Sequence, residues 1–88
     1  MRYRDLYSEE ITKKLSKLKK KDIQHYEIIR RKMDQILANP QHRHKELRYS
    51  MKGLDRVHIG HFVLVFTINH NRKTILFEDY DHHDKIYK

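Results

Sequence analysis

The hydrophobic period of this chain changes once, and that change limits its possible folds more than any other feature. Ile11, Leu15 and Leu18 lie at i, i+4 and i+7. Ile23, Tyr26, Ile29, Met33 and Ile36 (or Leu37) then continue at helical spacing. After a polar stretch the period becomes two. Leu47, Tyr49 and Met51 alternate with Arg48 and Ser50, and Val57 and Ile59 alternate with Arg56 and His58. A helical period buries one stripe of a helix, whereas a period of two buries one face of a sheet. The chain is therefore expected to be helical first and sheet-forming afterwards.

Local signals set the boundaries. Tyr3 to Tyr7 alternates and reads as a short strand. Ser8 suits a helix N-cap, with Glu9 and Glu10 at the positive end of the dipole. The first helix runs towards Lys19-Lys20-Lys21, Asp22 caps a second, and Asn39-Pro40 ends it because proline cannot continue a helix. So little chain separates the helices that they should form an antiparallel hairpin. Gln41 to Glu46 reads as a loop. Phe62 to Ile68 is apolar on both faces, as a covered central strand requires. Asn69 to Lys73 is a hairpin loop, Ile75 to Tyr80 a last strand, and Asp81 to Lys88 a tail. The predicted fold is α+β: an N-terminal strand, an antiparallel two-helix hairpin, then an antiparallel β-meander with the helices on one sheet face.

Composition narrows the function. The 88 residues make one domain, 1–88, with no internal repeat or linker. No cysteine is present, so disulfides and thiolate zinc sites are excluded. The longest apolar run, Phe62 to Phe66, is far short of the ~20 residues a membrane-spanning helix needs. No apolar signal core follows Met1 to Asp5, so the expected location is the cytoplasm. The net charge is +8, from 20 Lys and Arg against 12 Asp and Glu. A field of that sign draws polyanions, either nucleic acid or an acidic protein.

Four stretches then stand out in order: Leu47-Arg48 through Gly53-Leu54, Asp55-Arg56-Val57-His58-Ile59-Gly60, Phe62-Val63-Leu64-Val65-Phe66, and His82-His83-Asp84-Lys85-Ile86-Tyr87. Together with the element order, length and charge, they resemble the RelE/ParE toxin superfamily across nearly the whole chain. The resemblance implies a cytoplasmic toxin of a type II toxin–antitoxin module, held in a hetero-oligomer by a cognate acidic, RelB-like antitoxin. In the RelE-like branch it implies a ribosome-dependent endonuclease that cleaves mRNA in the A site. That reaction is metal-free and needs no cofactor. The RNA 2′-hydroxyl attacks the adjacent phosphate, leaving a 2′,3′-cyclic phosphate and a free 5′-hydroxyl.

Such chemistry needs a base, an acid and cations near phosphorus, and histidine suits the first two roles. His83 and Tyr87 fall where the resemblance implies a catalytic His and a terminal Tyr or Phe. Arg56 and His58, two apart on a strand, share one face of the sheet, opposite Val57 and Ile59. If the apolar pair meets the helices, the basic pair lies on the open face. Arg56 would then contact phosphate, and His58 would act as base, acid or RNA contact. Arg48, Lys52, His82 and Lys85 are expected phosphate or RNA contacts, which position RNA without reading its sequence. The lysines from Lys13 to Lys21 are a solvated helix face or a contact for ribosomal RNA backbone.

The chain also departs from the family pattern. Val63 stands where many relatives carry a central-strand Arg, and Asp81 and His82 where many carry an Arg before the terminal Tyr. The cluster is richer in His and poorer in Arg. This keeps a second reading in view, a ParE-like inhibitor of DNA gyrase without nuclease activity. A non-enzymatic RNA-binding module ranks third, because an RRM's aromatic pair and Gly-rich signature are missing. His42-x-His44 and His82-His83 could join Asp81 or Asp84 in a metal site, but neither pair has zinc-site spacing, and no metal is expected.

Overall fold

The computed structural model describes residues 2–40, 45–46 and 54–87. Its elements are β1 (Arg4–Tyr7), α1 (Glu9–Lys21), α2 (Ile23–Ala38), β2 (Lys45–Glu46), β3 (Asp55–Ile59), β4 (Phe62–Asn69), β5 (Thr74–His82) and α3 (His83–Ile86). The caps are the expected ones. The Ser8 hydroxyl accepts from the Ile11 N–H at 3.1 Å, and the Asp22 carboxylate accepts from the His25 N–H at 3.1 Å. Each such cap is worth about 1 kcal/mol. Asp22 also closes α1, its N–H donating to the Leu18 carbonyl, so one residue makes the turn between the helices.

The sheet order is β1-β5-β4-β3-β2. Strands β3 to β5 form the antiparallel meander that the sequence predicts, and β2 adds antiparallel to β3. β1 joins it parallel to β5, with Arg4 opposite Thr74 and Tyr7 opposite Phe77, so the whole sheet is mixed. No hairpin links β1 to β5, and without one its direction is unconstrained by turn geometry.

Three boundaries differ from expectation by more than one residue. Lys45 and Glu46, expected in a loop, form β2 against Asp55 and Arg56. A two-residue strand is too short to show an apolar period in the sequence. Asp81 and His82 extend β5, and His83 to Ile86 wind into a short helix where an open tail is expected. The alternating stretch from Leu47 to Gly53 lies outside the described residues, as do His42 and His44.

The main core lies between the helix pair and one face of the sheet. Ile11 and Leu15 from α1 and Ile29, Met33, Ile36 and Leu37 from α2 meet Leu64, Phe66, Ile75, Phe77 and Tyr80. The choice between Ile36 and Leu37 does not arise, since both are buried. On the other face Val63 and Val65 are buried beneath Leu54, Ile86 and Tyr87. β4 is thus covered on both sides, as its unbroken apolar run predicts.

Candidate active site

Register decides which side chains share a face. Arg56 pairs with Val65 and His58 with Val63, while Val57 pairs with Leu64 and Ile59 with Phe62. Directly opposed residues point the same way. Leu64 belongs to the helix-side core, so Val57 and Ile59 face the helices, and both pack against that core. Arg56 and His58 therefore point to the opposite face, as the period of two implies.

The C-terminal segment turns onto that same face. The His83 N–H donates to the His61 carbonyl at 2.8 Å, which anchors the start of α3 at the β3–β4 turn. Gly60 makes that turn at φ +62, a left-handed backbone in which a side chain is strained. α3 then carries Ile86 and Tyr87 over Val63 and Val65.

The four residues expected to be catalytic come together here. The His58 ring stacks on His83 with centroids 5.9 Å apart and on Tyr87 at 6.3 Å. His83 and Tyr87 lie 4.4 Å apart. The Arg56 guanidinium sits over the Tyr87 ring at 4.9 Å, and its Nη1 donates to the Tyr87 hydroxyl. Arg56 Nε is buried with no hydrogen-bond partner among the described residues. His58 and His83 are exposed, whereas Arg56 and Tyr87 are half-buried. Two open imidazoles thus lie against a guanidinium and a phenol held by packing.

The other expected contacts divide. Lys85 is exposed on α3, beside the cluster in sequence. His82 stands apart from it. Its partner across the sheet is Phe62, its Nδ1 accepts from the Asp84 N–H at 3.2 Å, and its ring lies 6.2 Å from His61. His82 and His83 are neighbours in the chain, yet the strand ends between them and separates their surroundings. Arg48 and Lys52 lie outside the described residues.

Two sets of contacts lie outside the sequence reading. The Asp84 carboxylate lies 3.6 Å from His83 Nδ1 and 3.7 Å from His82 Nδ1, between the two rings. Lys14 ties α1 to the end of β5, reaching Asp79 at 2.7 Å and Asp81 at 2.8 Å. Partial burial disfavours the Lys14 charge, but the two carboxylates outweigh it and hold its pKa well above the ordinary lysine value. Partial burial likewise pushes Asp81 up, but the Lys14 hydrogen bond and charge bring it below the ordinary carboxylate value. Through this contact Asp81 anchors the strand that leads into α3. Only a helical lysine among many marks the pair in the sequence, a signal too common to read.

The fold and the cluster together define a small, basic α+β domain with a His-rich site at one end of its sheet. No protein-family profile matches the chain. Two curated proteins are similar over 79 residues, 89% of this chain. An uncharacterised protein of Methanosarcina mazei is 53% identical, with 91% of its length covered. The protein named "Putative toxin RelE4" of Methanocaldococcus jannaschii is 48% identical, with 83% covered. Among solved structures, a chain of the toxin–antitoxin complex RelBE2 from Mycobacterium tuberculosis superposes with a TM-score of 0.73 at 18% identity. The match spans 93% of this chain and 99% of that one. A mutant of YafQ from E. coli superposes with a TM-score of 0.69 at 17% identity, over 98% and 99% of the two chains. The chain belongs to the RelE-like toxin superfamily.

Proposed function

We propose that this protein is the toxin of a type II toxin–antitoxin module and acts as a ribosome-dependent endonuclease on mRNA in the A site. The observation that carries the reading is the convergence of Arg56, His58, His83 and Tyr87 on the face away from α1 and α2. One neutral imidazole accepts the proton of the 2′-hydroxyl as its oxygen attacks phosphorus. As the bond to the 5′-oxygen breaks, a protonated imidazole returns a proton to it. Arg56 offsets the charge that builds on the phosphoryl oxygens. Tyr87, already held by Arg56, orients the nucleotide or stacks on its base. His58 and His83 share the acid and base roles between them, and Lys85 adds a cation at the rim.

The partner in this reading is an acidic, RelB-like antitoxin in a hetero-oligomer, and the setting is the cytoplasm. The name of the M. jannaschii relative and the fold shared with a toxin–antitoxin complex support it. One observation favours the gyrase-inhibitor alternative. Val63 occupies the position of the family's central-strand Arg and is fully buried beneath Ile86 and Tyr87, so no cation projects there.

A reconstituted translation reaction separates the two. Primer extension maps the 5′ ends of the downstream mRNA fragments with wild type, with a His83→Ala/Tyr87→Ala variant, and on naked mRNA. Cuts that appear only on ribosomes and vanish in the variant are expected. Absence of any cut, together with inhibition of gyrase supercoiling, would transfer the function to the alternative.

A further inference from the structure

A groove between α2 and β3 shares one residue with the cluster and otherwise lies outside it. Ile28, Arg31, Lys32 and Gln35 of α2 wall it on one side, His58 and Ile59 of β3 on the other, and it encloses about 250 Å³. Small-molecule sites usually measure about 300–1,000 Å³, so this groove suits one flat ring better than a whole ligand.

The α2 wall is a helix face of its own. Ile28, Arg31, Lys32 and Gln35 lie at i, i+3, i+4 and i+7, apart from the stripe of Ile29, Met33, Ile36 and Leu37 that enters the core. Ile28 is 47% exposed, although polar residues flank it on this face. Arg31 is exposed and Lys32 half-buried, and neither forms an ion pair among the described residues. No acidic residue lines the groove among the described residues. It is a cationic slot with an apolar lining from Ile28 and Ile59.

Two features select its occupant. The groove reaches His58, which the proposed reaction sets beside the scissile phosphate, so an RNA strand held there can lead its neighbouring nucleotide along this surface. Gln35 carries a donor and an acceptor on one amide. A base edge uses both, whereas a carboxylate of an acidic protein uses the donor alone. We propose that this groove is a subsite for the nucleotide of single-stranded RNA next to the scissile phosphate. The base lies against Ile28 and Ile59, Gln35 reads its edge, and Arg31 and Lys32 hold the flanking phosphates. The subsite rests on the nuclease reading and adds to it a position at which base identity matters.

Two measurements keep the subsite and the nuclease reading distinct. In the first, amide chemical shifts of the whole protein follow addition of a short single-stranded RNA carrying 2′-O-methyl groups, which cannot be cut by 2′-hydroxyl attack. Shifts are expected at Ile28, Gln35 and Ile59. Arg31→Ala/Lys32→Ala should weaken binding and flatten the slope of log K against log salt by about 1.4, at about 0.7 per phosphate contact of a single strand. In the second, ribosome-dependent cuts are sorted by the bases that flank them. A preference of about tenfold is expected at one flanking position, and Gln35→Leu should level it. Damage to the fold alone would lower all cuts together and leave the preference in place.

Wild-type cuts whose base profile is unchanged in Gln35→Leu would overturn the subsite and leave the nuclease reading standing. Shifts at the groove in a protein that makes no cuts would support RNA binding there and remove the nuclease reading. A glutamate-rich peptide that shifts these amides where the RNA does not would overturn the proposal and make the groove a protein-docking surface.

Discussion

The two faces of the sheet are built to different ends from the same strand. Towards the helices β4 presents Leu64 and Phe66, which join Phe77, Tyr80 and the buried stripes of α1 and α2. Away from them it presents Val63 and Val65, capped among the described residues by Leu54, Ile86 and Tyr87. The first face is wide, carries the large side chains, and excludes charge. The second is narrow enough that Arg56, His58 and His83 stand at its edge, in reach of solvent and of one another. Most stability resides on one face and the candidate chemistry on the other, so substitutions should separate the two.

The largest expected effect is on the helix face. Phe66→Ala should cost about 3–5 kcal/mol, a large part of the stability of so small a domain. The urea midpoint measures it, and a loss below 1 kcal/mol would mean that the face is not the main core. Next comes the cluster. His83→Ala should lower ribosome-dependent cleavage by about 10²–10⁴-fold, the range of a lost general acid or base. Its urea midpoint should move by no more than about 0.5 kcal/mol, since the side chain is exposed. A variant that unfolds as readily as Phe66→Ala would erase the distinction between the faces.

A smaller effect tests the tie between α1 and β5. Lys14→Met should cost about 1 kcal/mol at neutral pH, discounted because the three side chains are partly open to solvent. The pH dependence has a definite sign. Asp81 has a folded pKa below its ordinary value of 3.8, so its contribution is present above that value and lost as pH falls through the folded one. Lys14 has a folded pKa above its ordinary 10.5, so its contribution is full below 10.5 and fades as pH rises through the folded value. Urea midpoints between pH 6 and pH 2 should fall less steeply in Lys14→Met than in wild type. Parallel curves would show that the bridge does not form in solution. Last, Ser8→Ala should remove about 1 kcal/mol through the lost N-cap, with cleavage unchanged.

Much of this was legible before any coordinates. Ser8, Asp22 and Asn39-Pro40 set the helix limits because capping and proline sterics act within a few residues. The alternation of Arg56 and His58 against Val57 and Ile59 assigned them to opposite faces, because a strand's period is two. The place of His83 and Tyr87 came from a resemblance, and nothing local in the chain puts their rings beside His58.

The one-dimensional order of residues determined element types, the apolar stripes and the basic balance, since each depends on near neighbours and on counting. The tertiary structure alone decided what depends on distant partners. It set β1 parallel to β5 and folded the last residues into α3 rather than a tail. It put His82 and His83 in different surroundings and closed Val63 under Tyr87. It also joined Lys14 to two aspartates more than sixty residues away in the chain. Contacts of that separation leave no period and no spacing in a sequence, because packing chooses them only after the elements have formed.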